Sequence, residues 1–329
     1  MESSTVILND GGVMLALGEV HTGLLRNRAS VTQRLATQVL SLLLGERVRR
    51  SERPIAHAVS PDRITGVDCQ LATSSGTRVR GIGTVVSRAS ITGGHVLQGS
   101  TYAHVVKSEA DRRLPWSHYL SRPGAIETLG KADPADLAGG FLTPKQSPVN
   151  LDLGAISGRM VDMVQRSKEL DHALPFRMAR TRLRWVVAVD ATQPTASRAR
   201  FTIDSATVRT LRLTVAENDL PAAVKLCEDL ALHDWLLTAL LEMIERSRIG
   251  SSPRPQVVDR LRPAIDYLLH LWMPTARLNE SVLPLWEILE RQPGFTKQWE
   301  ASVSRIRDQV ALSTIVQLGS WGEKNAERT

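Results

Sequence analysis

Apolar and polar residues alternate at period two along much of the first 216 positions, and recur every third or fourth position after residue 217. Period two marks a half-buried strand and period 3.6 an amphipathic helix. Residues 5–9 and 13–20 are predicted strands around an Asp10-Gly11-Gly12 turn. Residues 31–44 are a predicted helix. Ser30 is its candidate cap, Val31, Leu35, Val39 and Leu42 recur at helical spacing, and Gly45 stops it. Short strands follow around 54–59, 64–71, 77–88 and 95–106, with turns at Ser74-Ser75-Gly76 and Thr92-Gly93-Gly94.

Residues 107–150 lack sustained periodicity and are expected to be a connector, with a boundary in the Gly/Pro/Ser-rich stretch 139–150. A helix over 151–170 carries one stripe of Leu153, Ile156, Met160 and Val164. The clearest alternation comes next, in strands 181–190, 199–204 and 209–215. Leu183, Trp185, Val187, Phe201, Ile203, Leu211 and Leu213 are expected on one face. Arg182, Arg184, Arg200 and Arg212 share the other if the strands form a meander. The polar loop 191–198 is expected to be mobile. Helices are predicted at 219–247, 254–273, 280–291 and 295–318, punctuated by Pro253, Pro255, Pro274 and Pro293-Gly294. The first has two apolar sides, which places it in the middle of a bundle.

The expected fold class is therefore α+β. A mainly antiparallel N-terminal β region with one or two helices (1–145) precedes a helix plus three-stranded antiparallel segment (151–216), either a second short sheet or an extension of the first. A helical bundle (217–318) and a frayed polar tail (319–329) follow.

Composition narrows the class. With 42% hydrophobic and 23% charged residues the chain reads as an ordinary globular protein. No run of 18 apolar residues occurs, the opening lacks the pattern of a signal peptide, and two cysteines make no disulfide framework, so a cytoplasmic protein is expected. The net charge of +7 is uneven. Residues 1–216 hold 28 Lys+Arg against 18 Asp+Glu, and residues 217–329 hold 13 against 16. Arginine outnumbers lysine 34 to 7, a bias expected of a GC-rich genome that raises the isoelectric point without implying nucleic acid.

No strong catalytic or cofactor motif stands out, so catalytic residues are left unassigned and no cofactor or metal is expected. Gly81 and Gly83 in RGIGTVV, and the glycines of TGGHVLQGS, lack a following helix to cradle phosphate and read as turns and bulges. The tightest polar cluster is Glu228, Asp229, His233 and Asp234. Asp229 and His233 lie one helical turn apart, the spacing of two metal ligands, with His270 as the candidate third; a core histidine held by a carboxylate is the plainer reading. Cys69 reads as a buried, inert thiol. The candidate binding surface is the arginine face: Arg180, Arg182, Arg184, Arg200 and Arg212, with Arg198 nearby. Its strands' aromatics, Trp185 and Phe201, point the other way, which disfavours nucleic acid, because sheets that bind it add exposed rings for stacking. Trp116 and Trp321, beside Pro or Gly in polar segments, are candidate partner contacts.

The phrases SERPIAHAVSPDRITGVDC (51–69), RLPWSHYLSRPG (113–124), LCEDLALHDWLL (226–237), HLWMP (270–274) and PGFTKQW (293–299) resemble an uncharacterised actinobacterial conserved family of unknown function. The resemblance spans nearly the whole chain. It implies a cytoplasmic protein encoded with a variant P-loop protein and a methyltransferase-like protein, and working with protein partners, the P-loop protein among them. It supplies no activity, fold or catalytic residue.

Three functional expectations follow. The leading one is a non-enzymatic interaction or scaffold component of a multi-protein bacterial system. The second is an enzyme with a site between the β region and the helices, using residues among His57, Asp68, His95, Asp229 and His233. The third is an anion or nucleic-acid binder acting through the arginine face.

Overall fold

Val13–Leu24 (β1) pairs antiparallel with a strand from each part of the β-rich chain, Val96–Lys107 (β6) on one side and Thr181–Val189 (β8) on the other. In this computed structural model, residues 12–43, 45–143, 147–189, 198–249 and 254–326 are described, with side chains of 313 and 315–326 left aside. The expected strand 5–9, most of the loop 191–198, Pro253 and the Trp321 side chain fall outside them. The β1–β8 pairing removes the second short sheet: 181–215 extends the first into one mostly antiparallel sheet.

The remaining strands are Arg49–Ser51 (β2), His57–Val59 (β3), Arg63–Leu71 (β4), Val79–Thr92 (β5), Ala125–Leu129 (β7), Arg198–Ile203 (β9) and Val208–Val215 (β10). Their order is β2-β3-β5-β7-β6-β1-β8-β10-β9, with β4 paired to β5. Strands β5 and β6 pair directly from Val86 to Thr92, then part so that β7 fits between Arg80–Gly83 and His104–Lys107. The segment expected to be a connector thus supplies a strand, flanked by the helices Trp116–Leu120 (α2) and Pro134–Leu142 (α3). Five residues between Gly124 and Gly130 are too few to show a period.

The expected meander is also corrected. β10 runs parallel to β8, and β9 takes the edge, antiparallel to β10. Burial explains the exchange. Leu211, Leu213 and Val215 of β10 are buried, whereas β9 exposes Arg198, Arg200 and Thr202, the charged and polar surface that suits an edge; Ile203, expected to face inward, is 61% exposed at the end of this edge strand.

Helices cover both faces. Gln33–Leu40 (α1), α3 and Leu153–Gln165 (α4) lie on one. On the other lie Leu220–Ser247 (α5), Arg254–Tyr267 (α6), Leu283–Arg291 (α7) and Phe295–Ala326 (α8). Thr32, rather than Ser30, caps α1, accepting from Leu35 N at 3.3 Å. Pro221 opens α5, where its missing N–H costs nothing. Leu226, Leu230, Leu236 and Leu240 of α5 are wholly buried in the same cluster as Val20, Leu183, Trp185 and Leu211 of the sheet. Each contributes about 1.5–3 kcal/mol by burial. Both apolar sides of α5 are buried, but the helix lies between the sheet on one side and α6 and α8 on the other rather than in the middle of a bundle, because the apolar face of the sheet has to be covered as well. α8 continues past residue 318, where a frayed tail was expected, because no proline interrupts it and single glycines weaken a helix without ending it.

Candidate functional site

The sheet face toward α5 carries a patch of polar residues on its β2–β6 side. Register fixes the rows: Arg49 opposite Val59, Val59 opposite Ser90, and Ser90 opposite Gln98. Arg88 lies opposite Ser100, and His57 opposite Thr92. Above them, Lys225, Glu228 and Asp229 share one side of α5 through i, i+3 and i+4 spacing. The segment before the Glu280–Val282 turn adds Arg277 and Leu278, and positive φ (65°) at the β-branched Thr275 marks local strain beside Arg277. Apart from Thr92 and Thr275, these residues line a half-open cavity of 240 Å³.

Two ion pairs organise its walls. Arg88 holds Glu228 in a bidentate grip at 2.9 and 2.8 Å and lies 5.5 Å from the centre of the Tyr102 ring. Burial opposes the Arg88 charge, but Glu228 more than offsets it, and the guanidinium pKa is raised. Arg277 bonds Asp229 Oδ1 at 3.1 Å. Gln98 donates to the Glu228 carbonyl at 3.0 Å and to Thr22 Oγ1 at 3.1 Å, pinning α5 to the sheet.

The lining holds four cations (Arg49, Arg88, Lys225, Arg277) and two carboxylates (Glu228, Asp229), an excess of two positive charges. Asp62, 3.6 Å from Arg49 and 3.8 Å from Arg88, stands behind the lining and returns part of that excess. The field at His57 is positive. Burial first, then the charges of Arg277, Arg88 and Arg49 against Asp229 alone, lower its pKa from 6.5 to about 3, and the neutral ring bonds Thr92 Oγ1 at 2.9 Å. Ser100 Oγ, Arg277 Nη1 and the carboxylate oxygen Asp229 Oδ2, on three lining residues, are buried without a hydrogen-bond partner, and Asp229 Oδ2 lies 3.3 Å from His233 Nδ1. Buried polar groups are normally satisfied, so such exceptions call for a ligand, a water or an ion.

Of the residues considered for catalysis, His57 and Asp229 line this cavity. His233 lies beneath Asp229 and is buried. Its Nδ1 is 2.8 Å from the Asp229 carbonyl and 3.3 Å from the carboxylate, and its ring meets Trp272 and Trp286 edge-on. Asp68 is elsewhere, on β4, bonded twice by Arg80, and His95 packs on Tyr267. No three of the five meet in one cavity. His270 is not brought into a ligand set with Asp229 and His233 among the described residues. Among the described residues no group of three His, Cys, Asp or Glu is placed to hold a metal ion. Cys69 is half-buried rather than buried, and burial, then Asp68, raises its thiol to about 11.

The arginine face divides in two. Arg182, Arg184, Arg200 and Arg212 do share a side of the sheet, but α3 and α4 cover its β8 end. Arg184 is buried against Glu19 Oε2 (3.5 Å) and bonds the carbonyls of Phe141 (3.2 Å) and Thr143 (2.9 Å). Arg182 Nε approaches Glu19 Oε1 at 2.5 Å but is misaligned for a hydrogen bond, so that contact is Coulombic. Arg180 pairs with Asp162. Arg198, Arg200 and Arg212 remain exposed, and Arg200 sits directly opposite Arg212. Trp116 is 37% exposed, lies over Gly66 of β4 and meets Arg113 at 5.3 Å.

Arg49, Arg88, Gln98, Ser100, Lys225 and Arg277 were not legible as a set. The one available signal was Lys225 beside Glu228 and Asp229, three polar residues on the same side of an otherwise apolar helix. No protein-family model, no curated protein and no solved structure matches this chain. Among the described residues, no helix is long and apolar enough to cross a membrane.

Proposed function

We propose that this protein is a non-enzymatic binding component of a multi-protein bacterial system, and that its cleft takes a small anion. One observation carries the reading: four cations face two carboxylates around a 240 Å³ cavity, and two donors, a buried hydroxyl and a buried guanidinium nitrogen, stand without partners against one carboxylate oxygen, Asp229 Oδ2. In a partly enclosed site such charges act with less screening than on open surface. Calorimetric titration at low salt with sulfate, inorganic phosphate, acetate and citrate is the test. At least one is expected to saturate a single site, more weakly as salt is added, and Arg49→Glu with Lys225→Glu is expected to abolish the binding. A panel with no saturable member, or a double variant that binds unchanged, refutes the reading.

The Arg200–Arg212 pair favours a second role for the same protein. Like charges directly opposite on neighbouring strands cost stability, and here they sit exposed on the edge pair β9–β10. This supports docking of an acidic face of a protein partner, with the variant P-loop protein implied by the resemblance as the first to try. Arg200→Glu with Arg212→Glu is expected to weaken that complex at least tenfold while leaving anion binding in the cleft unchanged; equal affinity of both proteins for the partner excludes the surface.

A further inference from the structure

We infer that the ligand of the cleft is a small polyhydroxylated phosphate monoester, the chemical class of a sugar phosphate. The inference rests on the anion-binding reading and adds the identity of the anionic group and of the body that carries it.

The donors come first. Ser100 Oγ and Arg277 Nη1 are unpartnered, and Lys225 and Arg49 stand at the exposed mouth. Ser100 rises from the sheet floor, Lys225 from α5 above it, and Arg277 from the segment closing the end. Donor-bearing residues on more than one wall of the cavity suit a tetrahedral group with three terminal oxygens better than a planar carboxylate with two. The charge agrees. The lining leaves two positive charges, reduced by Asp62 behind it, and a phosphate monoester carries about −1.5 to −2 at pH 7.

The body is set by what else lines the cavity. Carbon makes up more of the wall than polar atoms do, from Val59, Leu278, the His57 ring and the aliphatic stems of the long polar side chains, and no Phe, Tyr or Trp takes part. A nucleobase would find no aromatic platform there, and such stacking carries much of base recognition. Glu228, Asp229, Gln98 and Ser90 present acceptors beside the cations. Carboxylates next to an anion site repel a second anionic group but accept hydrogen bonds from hydroxyls. The volume of 240 Å³ lies below the roughly 300 Å³ at which drug-sized pockets begin, which fits a body of one ring.

A readout is built in. Asp229, the partner of Arg277, holds His233, whose ring abuts Trp272 and Trp286, and Trp272 stacks on Trp299 at 4.3 Å. An anion that takes up Arg277 changes the charge felt by this cluster, so binding is followed by tryptophan fluorescence as well as by calorimetry.

The full-length protein is titrated with glucose 6-phosphate and ribose 5-phosphate, and against them with glucose, glucuronate, inorganic phosphate and AMP. The sugar phosphates are expected to bind at least tenfold tighter than every comparison compound, with a saturating change in fluorescence. Lys225→Gln, at an exposed position that leaves the fold intact, is expected to weaken them about tenfold, and Ser100→Ala about threefold to tenfold. Glucuronate binding as tightly as glucose 6-phosphate overturns the phosphate assignment, and AMP binding more tightly overturns the sugar assignment. Both outcomes leave the anion-binding reading standing, because an anion still occupies the cleft. Titrations in which no anion saturates remove both.

Discussion

Glu19→Ala is expected to lower the free energy of unfolding by about 3–5 kcal/mol. Glu19 is 1% exposed in the middle of β1, with Arg182, Arg184 and His21 around its carboxylate. The surroundings leave no room for an alternative. A Cβ on Gly154 of α4 would lie 2.4 Å from Glu19 Oε1, so the helix rests on the carboxylate itself. Truncation strands the guanidinium of Arg184, whose side chain is 4% exposed and whose other acceptors among the described residues are two backbone carbonyls. Arg182 suffers less, because its side chain is 36% exposed and turns to water. Urea unfolding measures the loss, and a decrease below about 1 kcal/mol would contradict the argument. A second variant separates charge from volume. Arg184→Met in the Glu19→Ala background removes the stranded charge and is expected to restore at least half of the lost stability.

The same cluster shows where sequence reading stops. Alternation placed Arg182, Arg184, Arg200 and Arg212 on one side correctly, because the period of a strand is local geometry. It gave no sign that α3 and α4 cover one end of that side, or that Glu19, more than 160 residues away, neutralises two of the four. Pairing was equally hidden. The apolar faces of 181–189 and 208–215 were legible, but whether they join as a meander or around an edge strand depends on which strand has more surface to bury. Strand β7 escaped because five residues carry too little pattern. The helices were legible as elements but not in their limits: the helix expected over 254–273 ends at Tyr267 with Pro263 inside it, because packing rather than proline sets its end.

The cleft was legible only from the helix. Glu228 and Asp229 drew attention as carboxylates on an apolar segment, with His233 and Asp234. The structure sorts these four by what faces them. Glu228 and Asp229 meet Arg88 and Arg277 at the cavity, His233 turns into the tryptophans, and Asp234 meets Arg209 of β10 at 3.2 Å in a buried pair. One polar cluster in sequence is thus two structures in space: a wall of the cleft and an internal bolt between α5 and the sheet. The cations that complete the wall come from β2, β5 and the segment before residue 280, and no spacing rule links them.

Acidification from pH 7 to pH 5 is expected to cost about 2–3 kcal/mol of stability, well before the carboxylates with lowered pKa begin to protonate. Burial and the neighbouring arginines lower His57 from 6.5 to about 3, and burial alone lowers His104 to about 4. Below pH 6.5 the unfolded chain therefore binds protons that the folded chain refuses. Their contribution is complete above pH 6.5 and is lost progressively toward pH 4 and pH 3. At pH 5 the gap is about 1.5 pH units for each ring, or about 2 kcal/mol per histidine. His95 and His270, also lowered by burial, act with the same sign. Asp234 opposes them. Burial raises its pKa to about 6 although Arg209 pulls it down, so the folded chain takes up a proton there between pH 6 and pH 3.8 and recovers about 1.4 kcal/mol at pH 5. The histidines win because two large shifts outweigh one smaller shift. Urea midpoints at pH 7 and pH 5 measure the slope, and constant or rising stability on acidification would refute it. His104→Met removes one of the two largest contributions, about 2 of the net 2–3 kcal/mol, and is expected to flatten the slope by about three quarters, leaving the charges around the cleft in place.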